Sequence, residues 1–493
     1  MTPWASLVAP VAALPLDIVR VLVGCLTFAY FVRTFREAPL FSGPDGLLDH
    51  ALVGRIFPFT RLSVFPSAIT LRGLRAAYAL GCAGSLLLAA GIGGQAVALA
   101  VYVLAVSTYR WNFLLMYVDD AVIHLVLFWM ALLPIGSTLT LPGLLADPGG
   151  SWAAWLSTTV PGLGVRCFMA NLALVYLVAG TWKLASPMWR DGSALQAALL
   201  MPCSRAEWFR AAAVRPWLKI GNWVALVIEP LLALLLVAPA GSALKWALLV
   251  AAVGFHVGIL VAMKFPFANL AMLGGLVLFF GPELMAGLGA SPPGTALAPA
   301  SPRPADLLAL ATVVTLALLF LLNALWFRSG ATTALGRRAS RGLNPLYVPL
   351  WLLGLAQSYR LFDWVDSRNY HVDYDVIAID DEGTERQIDQ SAIFCRPTIR
   401  HALLQSYLFG NLWIAIDPKQ LPELRASILE RYARRFCALN PTVRSVEVRA
   451  TVGRLTADNF DLHRATRTRL VAFTNSRGRP LMRSMVVDPP AYT

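Results

Sequence analysis

The chain has 493 residues, of which 57% are hydrophobic and only 14% are charged, and its formal net charge is +13. A soluble protein carries about 25% charged residues, so the composition excludes an ordinary soluble enzyme and predicts a polytopic α-helical membrane protein, with the lipid bilayer as its surroundings. The basic residues form no compact patch interleaved with aromatic residues, which argues against a nucleic-acid partner. Membrane topology and anionic lipid headgroups explain the charge better.

Nine apolar runs approach the length needed to cross a hydrocarbon core of about 30 Å. They lie at about 16–33, 72–91, 95–108, 118–133, 165–185, 218–238, 243–263, 266–283 and 305–327 and are numbered spans one to nine. Only Gly91 to Gly94 separate spans two and three, which predicts an antiparallel helical hairpin. About half of the charged residues lie beyond residue 355, so a soluble domain is expected after the membrane part.

Spans one and four carry charged residues near their first turns. Asp17 and Arg20 in span one share a helix face, so we expect an ion pair that lowers the cost of burying either charge. Asp119 and Asp120 begin span four, where the helix macrodipole favours carboxylates. His124 lies one turn after Asp120 and is expected to be a neutral histidine bonded to a neighbouring helix.

Span five ends in the stretch YLVAGTWKLASPMWRDG, from Tyr176 to Gly192, with one lysine where the apolar helix gives way to a polar turn. An ammonium group at this depth costs free energy unless it snorkels, finds a partner or faces water. Lys183 is therefore either a snorkelling lysine at a helix end or a functional amine.

Two more ionisable residues lie inside apolar runs. Glu229 precedes Pro230 in span six, which predicts a kinked helix and a carboxyl group that is either hydrogen-bonded or protonated. His256 follows Phe255 near the end of span seven. Both positions are unusual for a helix that faces only lipid.

Lysine and arginine are distributed unequally between alternate loops. Segments 33–75 and 183–219 hold six each, whereas loops 91–94, 134–165 and 239–244 hold none. By the positive-inside rule, a multi-pass protein of the cell membrane is expected, with its N-terminus outside and its C-terminal domain in the cytoplasm.

Residues 344–365 are expected to form an interfacial connector, and residues 366–493 a small soluble α+β domain. Within that domain, HVDYDVIAID alternates apolar and polar residues and is followed by a turn at Asp381-Glu382-Gly383 and the strand TERQID, which predicts a β-hairpin. Further strands are expected over 445–453 and 468–474, the latter ending in a turn at Asn475 to Gly478.

A helix is predicted between these strands, over KQLPELRASILERYARRFCAL, because its apolar residues recur every three or four positions. These residues are Leu421, Leu424, Ile428, Tyr432 and Phe436. The six cysteines occur singly, without a CxxC or Cys/His cluster, and predict neither a disulfide framework nor a metal site.

The unusual polar residues are expected to lie at one depth, beside the soluble domain. They are the Asp119-Asp120 pair, Lys183, His256 and Gln357. Ionisable groups inside a membrane are functional candidates, and a desolvated lysine can act as a base. We therefore predict Lys183, His256 and Asp120 as candidate catalytic residues.

The pattern around Lys183 resembles a known family. The motif Y-L-V-A-G-x-x-K-L-x-x-x-x-W-x-x-G, the Asp119-Asp120 element and Phe255-His256 are similar to elements of the HTTM (horizontally transferred transmembrane) family. That membrane domain is shared with vitamin K-dependent gamma-glutamyl carboxylase. The order of D-I-V-R, G-P-D-G-L-L, L-L-P-I-G and A-Q-S-Y-R-L-F also agrees, over about residues 15–365.

The resemblance implies an HTTM-like transmembrane domain over residues 1–343 and roles for particular side chains. Lys183 falls on the lysine thought to deprotonate vitamin K hydroquinone in the carboxylase, and His256 falls on a Phe-His position of a later helix. Asp120 stands where the carboxylase has a histidine, and Trp182 where it has a lysine. The implied substrate or cofactor is a quinone, such as vitamin K hydroquinone, and a peptide is the other implied substrate.

Three functions remain open from the sequence. The first is a carboxylase-like membrane enzyme whose base is Lys183. The second is a non-catalytic membrane protein that assists peptide or toxin maturation or export, with its polar residues acting as contacts between helices. The third, a transporter, would need paired broken helices in an inverted repeat, and Glu229-Pro230 has no matching half.

Overall fold

The computed structural model describes most of the chain and is mainly helical. The described residues are 3–199, 204–205, 214–290, 302–329, 349–350, 352–355, 370–389, 392–393, 398–408, 419–454 and 463–474. They form a helical bundle up to residue 329 and a small sheet with two helices near the C-terminus.

The described part of the bundle contains sixteen α-helices and a two-stranded ribbon. In chain order they are α1 Pro3–Val8, β1 Val11–Ala12, α2 Ala13–Phe41, α3 His50–Ile56, α4 Leu71–Ala89, α5 Gly94–Trp111, α6 Val118–Leu132, α7 Leu141–Ala146, α8 Pro148–Ser157, β2 Thr159–Val160, α9 Gly162–Ala185, α10 Pro187–Asp191, α11 Ala194–Leu199, α12 Arg215–Leu231, α13 Ala243–Ala262, α14 Pro266–Phe279, α15 Gly281–Gly287 and α16 Pro304–Ser329. Short 3₁₀ segments lie at Pro58–Leu62, Phe113–Leu115 and Leu232–Leu236.

Helices lie at all nine predicted spans, but fewer are long and apolar enough to cross a membrane. Among the described residues four helices meet that test: α2, α9, α12 together with its 3₁₀ extension, and α13. The pair α14 and α15 is a fifth candidate, bent by 68°. Helix α6 has 15 residues and is therefore about 22 Å long, which is shorter than a hydrocarbon core of about 30 Å. The prediction of nine spans is thus confirmed for four, or for five if the bent pair is one span.

The predicted short link between spans two and three is confirmed. Helix α4 ends at Ala89, α5 begins at Gly94, and the two helices pack against each other. Gly91 and Gly93 in the link have φ values of 72° and 78°. Such left-handed conformations cost little for glycine because it has no Cβ.

The predicted pair of Asp17 and Arg20 is also confirmed, with 2.8 Å between Arg20 Nε and Asp17 Oδ1. Arg20 is fully buried, and its two Nη atoms donate to the carbonyl oxygens of Leu88, Ala89, Thr138 and Leu139. All five guanidinium N–H groups therefore have a partner. The buried charge is compensated, and the start of α2 is tied to the end of α4 and to the loop after α6.

The C-terminal part forms an antiparallel sheet and two helices. Its elements are β3 Tyr370–Asp380, β4 Glu385–Ile388, α17 Ile399–Leu408, α18 Leu421–Leu439, β5 Val443–Arg454 and β6 His463–Thr474. The strand order is β4-β3-β5-β6. The predicted hairpin is confirmed, since Val376 pairs with Ile388 and Ile379 with Glu385. The predicted helix and both later strands are confirmed as α18, β5 and β6.

The C-terminal domain packs on one end of the bundle. Leu424 and Ile428 of α18 belong to the same apolar cluster as Leu52 of α3. Arg400 of α17 is buried and lies 2.6 Å from Glu37, near the end of α2. We call this end of the bundle, which holds the end of α2 and the start of α6, the docked end. The other end, which holds the start of α2, is called the free end.

Several predictions fall outside the described residues. They concern most of the connector 344–365, Gln357, the loop 291–301 between α15 and α16, and the turn from Asn475 to Gly478.

Acidification is expected to destabilise the docked C-terminal domain. His401 of α17 is buried, with its Nδ1 2.6 Å from Tyr432 Oη, and burial lowers the pKa of His401 from 6.5 to about 4. Between these values the unfolded chain binds a proton that the folded chain does not, so stability falls as the pH falls. We expect the melting temperature of the full chain in detergent to drop between about pH 7 and about pH 5.

His401→Gln should show a smaller drop than the wild type over the same range. His50, whose pKa is also lowered by burial to about 4, is present in both proteins and cancels in the comparison. Equal pH dependence of the two melting temperatures would contradict the assignment to His401.

Candidate functional site

Lys183 forms a buried ion pair with a residue of another helix. Its Nζ donates to Glu229 Oε2 of α12, and only 4% of Lys183 and 3% of Glu229 are exposed. The Trp189 ring lies 5.3 Å from Nζ, within the range of a cation–π contact. Lys183 is therefore not a snorkelling lysine that reaches water, since its amine is held inside the bundle.

A close crossing of two helices brings the pair together. Gly180 lies one turn before Lys183 on α9, and a Cβ placed on it would lie 2.5 Å from Pro230 Cδ. The absence of a side chain at Gly180 therefore lets α9 approach α12 at the residue that follows Glu229. Pro230 lies inside α12, which continues as a 3₁₀ segment from Leu232, as expected for a proline that cannot donate a backbone hydrogen bond. Of the two states expected for Glu229, the structure shows the hydrogen-bonded one.

His256, on α13, belongs to a second buried group of polar residues. This group contacts the face of α9 that also carries Lys183. Tyr176 Oη is 2.7 Å from His256 Nε2, and His256 Nδ1 is 2.9 Å from Asn269 Oδ1 of α14. Asn269 Nδ2 donates to the carbonyl oxygen of Phe265, which directs Oδ1 towards the imidazole. His256 therefore carries its proton on Nδ1 and accepts the Tyr176 hydroxyl proton on Nε2.

These two groups adjoin each other along α9. Tyr176 and Lys183 are seven residues apart, so they lie about two turns apart on one face of the helix. A row of polar groups therefore runs from Asn269 through His256 and Tyr176 to the Lys183–Glu229 pair.

Asp119 and Asp120 cap helices at the docked end, as expected for carboxylates at a helix N-terminus. Asp120 Oδ2 accepts a hydrogen bond from the Tyr117 backbone N–H at 3.2 Å. Asp119 Oδ1 accepts from the Ala268 N–H of α14 at 2.8 Å, and its Oδ2 accepts from Tyr117 Oη at 3.0 Å. Asp119 thus joins the start of α6 to the first turn of α14, next to Asn269.

We call the six residues Asn269, His256, Tyr176, Glu229, Lys183 and Asp119 the polar array.

The environment of Asp120 differs from that of Lys183. The positive charges of Arg400 and Arg33 act on the Asp120 carboxylate, and Arg33 Nη1 donates to Tyr117 Oη at 2.6 Å. Asp120 is 1% exposed. It therefore belongs to the junction between the bundle and α17.

The structure divides the three predicted site residues among three adjoining groups. Within the described residues, no hydrogen bond or ion pair joins Lys183 to Asp120 or to His256. The interpretation of His124 as a residue bonded to a neighbouring helix is confirmed, with Nε2 3.2 Å from the Ala105 carbonyl oxygen of α5.

The sequence interpretation missed three members of the polar array. Glu229 stands out in the sequence as an acidic residue in an apolar run, but nothing in the sequence pairs it with Lys183. Tyr176 lies within the motif that carries the family resemblance, without a predicted role. Asn269 gave no signal, because one amide in a helix of small and apolar residues is common at contacts between membrane helices.

The array contains groups that can take up and pass on a proton, but it offers no evident metal site. Within the described part of the chain, no group of three or more His, Cys, Asp or Glu side chains could hold a metal ion. A buried lysine beside a carboxylate, with a tyrosine–histidine pair next to it, suits proton transfer.

The fold and the site define a class of protein. The described residues form a mainly helical protein, in which four or five helices are long and apolar enough to cross a membrane, with a buried polar array and a small C-terminal sheet. No protein-family model matches the chain, and no curated protein or solved structure is significantly similar to it.

The crossing at Gly180 provides a test of how the array is held together. Gly180→Ala places a methyl group against Pro230, so we expect a loss of about 1–3 kcal/mol of stability from overpacking, measured as a lower melting temperature in detergent. Gly254→Ala on α13 is the matched control, since a Cβ there meets nothing within 4 Å. Alanine should stabilise that helix by about 0.5–1 kcal/mol. Equal melting temperatures for the two variants would show that the crossing is not tight.

Proposed function

We propose that the chain is a multi-pass integral membrane enzyme of the HTTM type, in which Lys183 and Glu229 act together as a general base. The proposed substrate is a membrane-soluble acid such as a hydroquinone, with a peptide as the other candidate. The observation that carries the proposal is the buried contact of Lys183 Nζ with Glu229. The family resemblance around Tyr176 to Gly192 agrees with it.

Because the Lys183–Glu229 pair is buried, the transfer of one proton between its members can change the pair from two charged groups to two neutral ones. Two opposite charges in a low-dielectric interior lose their hydration, and their mutual attraction offsets this loss only in part. Moving the proton from Lys183 to Glu229 removes both charges and leaves a neutral amine with a free lone pair. That amine can accept the hydroxyl proton of a bound substrate, and the ammonium so formed then stabilises the substrate anion.

The second group of the array supports a path for the proton. His256 accepts from Tyr176, and Tyr176 lies on the face of α9 that also carries Lys183. We propose that a proton on Glu229 is exchanged through the tyrosine and histidine towards α14. In this role Tyr176, His256 and Asn269 position and carry the proton, and Lys183 alone takes it from the substrate.

The proposal includes nine spans in the cell membrane, with the N-terminus outside and the C-terminal domain in the cytoplasm. The helices at all nine predicted positions and the unequal distribution of lysine and arginine between alternate loops support this arrangement. In it, the shorter helices α4, α5 and α6 lie inside the membrane region, and α6 in particular is buried among other helices.

A second candidate function is supported by a different observation. Lys183 and His256 already have protein partners. A cavity of about 760 Å³ lies at the free end of the bundle, and neither these residues nor Asp120 line it. Such satisfied groups also suit contacts between helices in a non-catalytic protein that assists peptide or toxin maturation or export.

Substitution of Lys183 distinguishes the two functions. Deprotonated hydroquinone reacts with dioxygen faster than the neutral form, so the purified protein should accelerate its oxidation. Lys183→Met should lower the accelerated rate by about 10²–10⁴-fold, the usual contribution of a general base. Lys245→Met is the matched control, because Lys245 is also buried, pairs with Glu283 at 2.8 Å and lies 5.0 Å from an aromatic ring.

The control variant should keep the wild-type rate. Wild-type protein that does not accelerate the oxidation of any hydroquinone, or an equal rate in Lys183→Met, would exclude an enzyme that deprotonates hydroquinones and favour the non-catalytic function.

A further inference from the structure

A large apolar cavity lies at the free end of the bundle, away from the polar array. Its volume is about 760 Å³, within the range of about 300–1,000 Å³ found for small-molecule sites. The cavity lies between the starts of α2 and α9, the 3₁₀ segment after α12, the bend between α14 and α15, and α16. Its lining includes Leu16, Leu163, Met169, Leu278, Met285 and Val313.

Distance separates this cavity from Lys183. Arg166, in its lining, and Lys183 are both on α9, seventeen positions apart, which corresponds to about 25 Å along the helix axis. The cavity is therefore not part of the polar array, and its role does not depend on the proposed function.

The lining is suited to hydrocarbon rather than to water. A buried water needs about two to four polar partners, and few polar atoms reach this space. An empty space of this size would deprive the lining side chains of dispersion contacts. In a bilayer, the apolar molecules available to fill it are the chains of lipids and other amphiphiles.

One charged group in the lining, the guanidinium group of Arg166, favours those amphiphiles that carry a negative charge. Arg166 Nη1 donates to the carbonyl oxygens of Leu7 and Ala9 at 2.9 and 2.6 Å. Among the described residues no carboxylate lies within 4.0 Å of Arg166, and its Nε and Nη2 groups have no hydrogen-bond partner. Lys245, the other cation in the lining, is neutralised by Glu283. Arg166 therefore keeps donors and a positive charge for an anion.

We propose that this cavity binds the hydrocarbon chain of an anionic membrane amphiphile, with the anionic headgroup at Arg166. The chain can belong to a free fatty acid or to an anionic phospholipid, since both offer a carboxylate or phosphate next to a long apolar chain. The guanidinium group forms charge-assisted hydrogen bonds with either headgroup.

Photocrosslinking of the full chain tests the site directly. The protein is reconstituted in nanodiscs of zwitterionic phosphatidylcholine, a palmitic acid with a diazirine in its chain is added, and the labelled peptides are mapped after irradiation. Label is expected on residues 163–170 of α9 and 304–313 of α16. Excess oleate should displace the label, whereas oleyl alcohol, which has no charge, should not.

Two substitutions and their controls make the outcome decisive. Ala170→Trp fills the cavity and should reduce labelling at these peptides at least several-fold, whereas Val250→Trp, at a position on α13 that is 71% exposed, should not. Arg166→Gln should weaken competition by oleate about tenfold, the loss expected for charge-assisted hydrogen bonds, and Arg166→Lys should retain much of it.

The competing anion identifies the source of the chain. Displacement by dioleoyl phosphatidylglycerol as strong as that by oleate supports a phospholipid ligand, and displacement by oleate alone supports a free fatty acid. Labelling that is equal in Ala170→Trp and in the wild type would overturn the site. Displacement by oleyl alcohol as strong as that by oleate would overturn the role of Arg166.

Discussion

A charge inside an apolar helical bundle must have a partner, and this constraint explains much of the architecture. Moving one ion from water into a low-dielectric interior costs several kcal/mol even after the structure relaxes. Arg20 meets the requirement with all five of its donors, and in doing so fixes the start of α2 against two other segments. Lys183 meets it with one carboxylate from a helix that passes unusually close. The same requirement that compensates each charge therefore also fixes which helices are neighbours.

The two buried lysines show why the surroundings of a charge matter more than its immediate partner. Lys183 and Lys245 each pair with a glutamate and each lie about 5 Å from an aromatic ring. The Lys183 pair also shares one face of α9 with Tyr176, whose hydroxyl is bonded to a histidine. Glu283 instead accepts a backbone N–H and is a local contact at the free end. The nearby tyrosine–histidine pair, rather than burial, makes the Lys183–Glu229 pair the stronger candidate for chemistry.

Local features of the sequence predicted the local structure well. Asp17 and Arg20 are three residues apart on one helix, so their pairing can be predicted without knowing the positions of other helices. The helix α18 can likewise be predicted from the spacing of its own apolar residues. The Lys183–Glu229 contact joins residues 46 positions apart, and it depends on which helices cross and on how closely they approach. The sequence places Asp120 and Lys183 at a similar depth in the membrane. Two residues at the same depth can still lie on different sides of a helical bundle, so depth does not show which residues are in contact. Nine helix positions were also predictable, whereas the number of complete spans depends on helix lengths that hydropathy defines poorly.

If Lys183 and Glu229 act as one base, their substitutions should not have additive effects on the rate, and a double-mutant cycle measures this. The rate of hydroquinone oxidation is measured for Lys183→Met, Glu229→Gln and the double variant at equal protein concentration. If the two side chains share one proton-accepting function, each single substitution should lower the rate nearly as much as both together, because groups that act as a unit are strongly non-additive. Losses in the single variants that add up in the double variant, or an unchanged rate in Glu229→Gln, would contradict the claim.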